Sequence, residues 1–332
     1  MEKANEPAVL DSTMQPRAKL VVLDGFSLNP GDLSWDRLKA LCDLTVYDRS
    51  MDQLAQRCHG AKMILTNKTP ITAELMASLP ELNYIGILAT GTNVVDLEAA
   101  KARGIVVTNV PAYGPDAVAQ MVFAHILHHS QQLALHDAAV KAGEWSQSED
   151  FCFSLTQLVS LKGKRLGLVG FGDIATKVAK IALAFEMKVS VSRLNKHKPL
   201  PPEVEHLSLD SLLSTSDIIS LHCPLTQETH QLINQARLKL IKPNALLINT
   251  ARGGLIDEQA LALALNQGRL FAGVDVLSAE PPKQDNPLLS ARNISITPHI
   301  GWATYEARQQ LLNIAIDNVA SFLRSDIRNR VI

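Results

Sequence analysis

Aromatic side chains, cysteines and any surplus of charge are all scarce in this chain of 332 residues. Aromatics make up 5% of it against 46% hydrophobic residues, so its packing rests on aliphatic side chains, as in a soluble globular protein. Its 32 Lys and Arg face 33 Asp and Glu. That balance argues against nucleic acid or a membrane surface as partner and points to small molecules. The four cysteines, Cys42, Cys58, Cys152 and Cys223, are scattered without a CxxC pair. They support no disulfide framework, and a reduced cytoplasm is the expected setting. No apolar run is long enough to span a bilayer, and the start, "MEKANEPAVLDSTMQPRA", lacks the apolar stretch of a secretion signal. Residues 1–18 read as a flexible tail.

A chain of this length exceeds one hydrophobic core, so two domains are expected. From Lys19 onward the runs "KLVVLDG", "DLTVYD", "AKMILTN", "NYIGILA" and "IVVTN" alternate with segments of helical spacing near Ser34–Leu41, Thr72–Leu79 and Asp96–Arg103. Such alternation predicts parallel βα units. Pro115 and Gly143 then bracket one long helical stretch, which reads as a connection between domains. A second series follows: "KRLGLVGFG", "KVSVS", "DIISLHC", "ALLINTARG", "FAGVDV" and "NISITPH". The amphipathic run Thr304–Arg324 closes the chain, and its return to the first series would make that domain discontinuous.

"GLVGFGDIATKVAK" sets Gly170, Gly172 and Ala175 between a predicted strand and a predicted helix. The glycines allow a tight turn and close approach of backbone to a pyrophosphate, whose charge then meets the helix N-terminus. The next strand of such a fold ordinarily ends in an acid, about 18 to 20 residues on, that accepts hydrogen bonds from the adenine ribose. Here "VSVSRLNK" puts Arg193 in that slot, after Ser192 and before Lys196. A fixed cation there predicts pairing with a 2′-phosphate, hence NADP(H) preferred with NAD(H) as the alternative. His125, His128 and His129 have i, i+3, i+4 spacing, but no carboxylate or cysteine completes a ligand set nearby, so no metal is expected.

Three further motifs, "INTARGGLIDEQAL", "GVDVLSAEPP" and "ITPHIGWAT", occur in that order after the glycine turn. With it they resemble the D-isomer-specific 2-hydroxyacid dehydrogenase family over nearly the whole chain from Lys19. "VVLDGFSLNPGDLSW", "LTNKTPIT", "ILATGTNVVDLEAA" and "DFCF" resemble its glycerate dehydrogenase, or hydroxypyruvate reductase, branch most. The resemblance implies an α/β fold of two Rossmann-like parallel-sheet domains, the nucleotide-binding domain (113–302) inserted into a flavodoxin-like substrate domain (19–112 and 303–332). It implies an active site in the cleft, a homodimer, and NAD(P)H-dependent reduction of a small 2-oxo acid, hydroxypyruvate to D-glycerate first and glyoxylate second. A nucleotide-sensing corepressor of the same fold, or a dehydrogenase for another 2-hydroxy acid, is the competing reading.

Residue by residue, Arg252 matches the arginine that orients the substrate carboxylate, His299 the general acid/base and Glu280 its acidic partner. The backbone at Ala89, Thr90 and Gly91 matches the loop that receives the carboxylate, and Lys68 is a further substrate candidate. On the cofactor side stand Gly170, Gly172, Asp173, Ile174, Ser192, Arg193, His222, Cys223, Pro224, Thr250, Ala251, Asp275 and Gly301. The chemistry asks for the same types: reduction leaves negative charge on the carbonyl oxygen, which calls for a proton donor and a fixed cation. Gln120 stands where many relatives carry glutamate and receives no catalytic role.

Overall fold

A computed structural model of the chain describes residues 17–193 and 199–332. Most of the predicted N-terminal tail, residues 1–16, and Lys196 lie outside the described residues. The chain divides into two compact units, Met1–Tyr113 with Arg308–Ile332, and Gly114–Ala307. No described helix is long and apolar enough to cross a membrane.

The first unit is built on a sheet of five parallel strands: β1 (Lys19–Val22), β2 (Asp43–Val46), β3 (Met63–Thr66), β4 (Tyr84–Ile87) and β5 (Val106–Thr108). Their order is β2-β1-β3-β4-β5, the flavodoxin-like arrangement. "MILT" and "YIGI" are buried along their whole length, which is why they read as unbroken apolar runs: helices cover both faces of a parallel sheet. The last segment returns to this sheet. Arg308 donates from Nη1 and Nη2 to the two carboxylate oxygens of Asp32 at 2.7 and 2.6 Å, and Val331 N–H donates to Val107 O at 2.8 Å. Asn318 Nδ2 donates to Asn109 O at 2.9 Å, and the Phe322 ring lies 4.6 Å from that of Tyr84.

The second unit is built on a sheet of seven parallel strands among the described residues: β6 (Arg165–Val169), β7 (Lys188–Ser192), β8 (Val204–His206), β9 (Ile218–Leu221), β10 (Leu246–Asn249), β11 (Phe271–Val274) and β12 (Ile294–Ile296). Their order, β12-β11-β10-β9-β6-β7-β8, is the dinucleotide-binding arrangement with one added edge strand. The strand order reverses between β6 and β9, and the glycine turn leaves β6 there. The helix Asp173–Ala184 buries Ala175, Val178, Ala179 and Ala182, so a small residue at 175 lets the helix lie close on the sheet.

Two features depart from the sequence reading. β8 is an edge strand the sequence reading did not include, three residues long and mostly exposed, too short and polar for periodicity to reveal. The stretch from Pro115 is two helices, Pro115–Gln131 and Leu133–Lys141. Gln132 sits in the left-handed region (φ 47°), its N–H capping His128 O, so the break occurs with neither glycine nor proline.

Two of the three histidines of the helix Pro115–Gln131, His125 and His129, serve its packing. His125 Nδ1 lies 2.7 Å from Ser295 Oγ, and His129 Nε2 lies 2.8 Å from Ala272 O. A carbonyl only accepts, so His129 carries its proton on Nε2. Burial holds His129 down to about 4, with His128 pushing the same way, and burial also lowers His125. The unfolded chain therefore binds more protons than the folded one between the ordinary imidazole range, about 6.5, and the lowered folded values. Stability is expected to fall as pH falls through that window. A thermal-unfolding series from pH 7 to 5 is expected to show a falling midpoint, with a shallower slope in His129→Gln; an unchanged slope in the variant would remove His129 from the effect.

Candidate active site

The glycine turn fits a dinucleotide in three respects. A Cβ on Gly170 (φ +94°) would come within 2.8 Å of His222 C and O, so only glycine brings β6 this close to the segment after β9. A Cβ on Gly172 would meet nothing within 4 Å, which leaves open space before the helix. Thr72, Asp96, Ser208, Asn234 and Asp257 cap their helices with side chains, whereas Gly172 offers none. The first N–H groups of Asp173–Ala184, beginning at Asp173 and Ile174, thus remain for an anion. Thr250 Oγ1, after β10, is buried without a partner among the described residues. It leads directly into Ala251, whose N–H is taken by Asn249 Oδ1.

The end of β7 meets this turn, since Gly170 N–H donates to Ser192 O at 2.8 Å. Arg193, half-buried, follows directly. His222, across the reversal point, bonds Ser220 Oγ through Nε2 at 2.9 Å, and burial drives its pKa down to about 4. Its imidazole is therefore neutral near pH 7, so it adds no positive charge beside Arg193. Burial raises the Cys223 thiol, which keeps it protonated. Pro224 O accepts from Thr229 Oγ1 at 2.7 Å, fixing the loop that follows.

The acid/base pair expected from the sequence is compact. His299 Nδ1 lies 2.6 Å from Glu280 Oε2, and Glu280 Oε1 accepts from Leu277 N–H at 3.2 Å. An ionised carboxylate only accepts, so Nδ1 carries the proton and Nε2 is left as an acceptor. His299 itself has φ +54°, an uncommon conformation for a side chain with a Cβ. Asp275, buried at 2% exposure, holds it there. Its Oδ1 accepts from Thr297 Oγ1 at 2.5 Å and Ile300 N–H at 2.9 Å, and its Oδ2 accepts from Gly301 N–H at 2.8 Å. These bonds bracket His299 on both sides.

Arg252 begins the turn after β10. Asn249 fixes that turn by donating from Nδ2 to Arg252 O at 2.9 Å. Arg252 is exposed, with Nη1 donating to Ala251 O at 2.7 Å. A Cβ on Gly253 would lie 2.0 Å from Leu277 C, so this glycine presses the Arg252 turn onto the backbone leading to Glu280. Glu258 steadies the same backbone, accepting from Ser278 N–H at 2.7 Å and from Asn286 Nδ2 at 2.8 Å. Asn249 and Glu258 escape a reading of the sequence, although both sit inside "INTARGGLIDEQAL".

The remaining substrate candidates belong to the first unit. Lys68 is exposed just beyond β3. Ala89, Thr90 and Gly91 follow β4: Ala89 O accepts from Val110 N–H at 3.0 Å, Thr90 Oγ1 donates to Val110 O at 2.8 Å, and Thr90 O accepts from Asn109 Nδ2 at 2.8 Å. β3 and β4 are neighbours, so both loops rise from the same carboxyl edge, where open α/β sheets take ligands.

Residues 123–301 match the family described as D-isomer specific 2-hydroxyacid dehydrogenase, NAD binding domain. The chain is 43% identical over 319 residues to a hydroxypyruvate reductase of Blautia hydrogenotrophica, covering 94% of this chain and 99% of that protein. It is 38% identical over 283 residues to a glycerate dehydrogenase of Methylorubrum extorquens, covering 84% and 88%. Among solved structures, the TT0316 protein of Thermus thermophilus superposes with a TM-score of 0.83 at 36% identity, covering 95% of this chain and 100% of that one.

Proposed function

The chain belongs to the D-isomer-specific 2-hydroxyacid dehydrogenase family and is a nicotinamide-dependent D-2-hydroxyacid dehydrogenase, and from that premise we propose that it reduces hydroxypyruvate to D-glycerate, with glyoxylate as a second substrate. The single observation that carries the assignment of roles is the 2.6 Å contact between His299 Nδ1 and Glu280 Oε2. The nicotinamide, when bound, supplies hydride to the carbonyl carbon. Arg252 holds the substrate carboxylate through its two-pronged guanidinium, which a lysine cannot imitate. His299 delivers a proton from Nε2 to the carbonyl oxygen as charge develops there. Glu280, beside Nδ1, stabilises the imidazolium before that transfer. Asp275 keeps the His299 loop in its left-handed turn, and Lys68 with the Ala89–Gly91 backbone serves the substrate carboxylate.

In His299→Ala, kcat with hydroxypyruvate is expected to drop by roughly 10²- to 10⁴-fold while the cofactor Kd stays near the wild-type value. Near-normal turnover, followed at the reduced-nicotinamide absorbance band, would remove His299 from the mechanism.

The cofactor is assigned as NADPH in preference to NADH. Ser192 O is tied to the glycine turn, so Arg193 leaves β7 beside the residues expected to hold the dinucleotide. A guanidinium accepts no hydrogen bond from a ribose hydroxyl but pairs well with a 2′-phosphate. A charge-assisted contact of about 1.5–3 kcal/mol corresponds to roughly ten- to hundredfold in affinity. Arg193→Asp is expected to erase or invert the preference in kcat/KM with little change in kcat at saturating cofactor. A wild-type enzyme that already favours NADH would overturn the assignment.

We also assign a homodimer. Leu133, Leu135, Val140, Trp145, Phe151, Leu155 and Leu158 are all exposed within one segment, Phe151 at 89% and Leu133 at 76%. So many large apolar side chains in one stretch are costly on a monomer, and a self-complementary interface would cover them. Leu133→Glu combined with Phe151→Glu is expected to shift the sedimenting species from dimer to monomer. A monomeric wild type, or a double variant that still sediments as a dimer, would refute this surface.

A further inference from the structure

Asp24 is a buried carboxylate that no step above uses. It follows β1, is 8% exposed, and collects four donors from one turn. Its Oδ1 accepts from Asn67 N–H at 2.8 Å, and its Oδ2 accepts from Lys68 N–H at 2.5 Å, Thr69 N–H at 2.8 Å and Thr69 Oγ1 at 3.2 Å. Three successive backbone N–H groups converging on one charge form an anion nest.

The nest lies at a particular place in the topology. In the order β2-β1-β3-β4-β5 the strand order reverses between β1 and β3, and open sheets of this kind receive ligands in the crevice at the carboxyl ends of those two strands. Asp24 leaves β1 and the turn 67–69 leaves β3, so the protein fills that crevice with its own side chain. The turn is closed from the other side as well, by Thr66 Oγ1 donating to Thr69 O at 2.7 Å. Thr66, Asn67 and Thr69 are buried in consequence, and Lys68 is the exposed residue among the four. Leu88 N–H donates to Thr66 O at 2.8 Å, so the Ala89–Gly91 loop starts alongside this turn.

We propose that Asp24 is a positioning residue for substrate: its carboxylate occupies the switch-point crevice of the first sheet and holds the 67–69 turn so that Lys68 is presented beside the loop that takes the 2-oxo acid's carboxylate. The inference rests on the reading of Lys68 as a substrate contact. Aspartate is required because one carboxylate accepts all four bonds, whereas an asparagine amide turns two hydrogens toward donors.

The test is a steady-state cycle with hydroxypyruvate and NADPH on Lys68→Ala, Asp24→Asn and the double variant. Each single change is expected to raise KM for hydroxypyruvate by roughly tenfold or more with a smaller change in kcat and none in KM for NADPH. The double variant is expected to equal Lys68→Ala alone, because Asp24 acts through Lys68. Fully additive effects would overturn the proposal while leaving Lys68 a substrate contact. A wild-type KM in Lys68→Ala would instead remove the reading of Lys68, and with it the positioning role. Asp24→Gly adds an independent arm, since it leaves the three N–H groups facing an empty nest. Formate is expected to restore KM toward wild type there, and chloride at equal ionic strength is not; restoration by neither counts against the nest. Asp24→Asn preserves volume and keeps the cycle decisive if Asp24→Gly does not fold.

Discussion

A buried carboxylate has to find hydrogen-bond donors, and much of the second unit's active edge is organised by where Asp275 finds them. It lies one residue beyond β11, out of reach of solvent, and takes the Ile300 and Gly301 N–H groups together with the Thr297 hydroxyl. Leaving any of these unmade would cost the desolvation of a charge, so the 297–301 loop has little freedom to relax. That constraint sustains the left-handed backbone at His299, which the residue would not choose in isolation. In its proposed role as proton donor, His299 is thus aimed by a group that need not touch substrate, and Glu280 settles which ring nitrogen carries the proton.

Charge is distributed across the cofactor edge in a related way. His222 and Arg193 flank the same glycine turn, one after β9 and one after β7, yet they behave oppositely. Burial strips His222 of its charge, while a guanidinium keeps its charge at any pH the protein survives. Of this pair, only Arg193 brings a fixed positive charge to the glycine turn. In the role proposed for Arg193, discrimination between two cofactors that differ by one phosphate is concentrated on one side chain.

The βα alternation was legible because parallel strands buried on both faces must be apolar throughout, as "MILT" and "YIGI" are. The glycine turn and the Arg, Glu and His motifs were legible because chemistry dictates residue type within a short stretch of chain. What escaped the sequence depends on partners far away in it. Nothing local marks Gln132 as the end of a helix, and β8 is a strand only because β7 offers it an edge. Asp24, Asn249 and Glu258 look like ordinary loop or helix-start polar residues until the turns they hold are in view.

The return of the last segment to the first sheet has a consequence for biogenesis. Arg308, Asn318 and Val331 complete a unit whose strands are synthesised before Tyr113, with the whole of Gly114–Ala307 made in between. On the ribosome the inserted unit has all its residues in hand first, and the earlier strands must wait, short of their closing helix, until Arg308–Ile332 has been made. Contacts of such sequence separation form slowly, and the waiting sheet exposes apolar surface meanwhile. The order of synthesis therefore leaves the segment before Gly114 without its closing helix for longest.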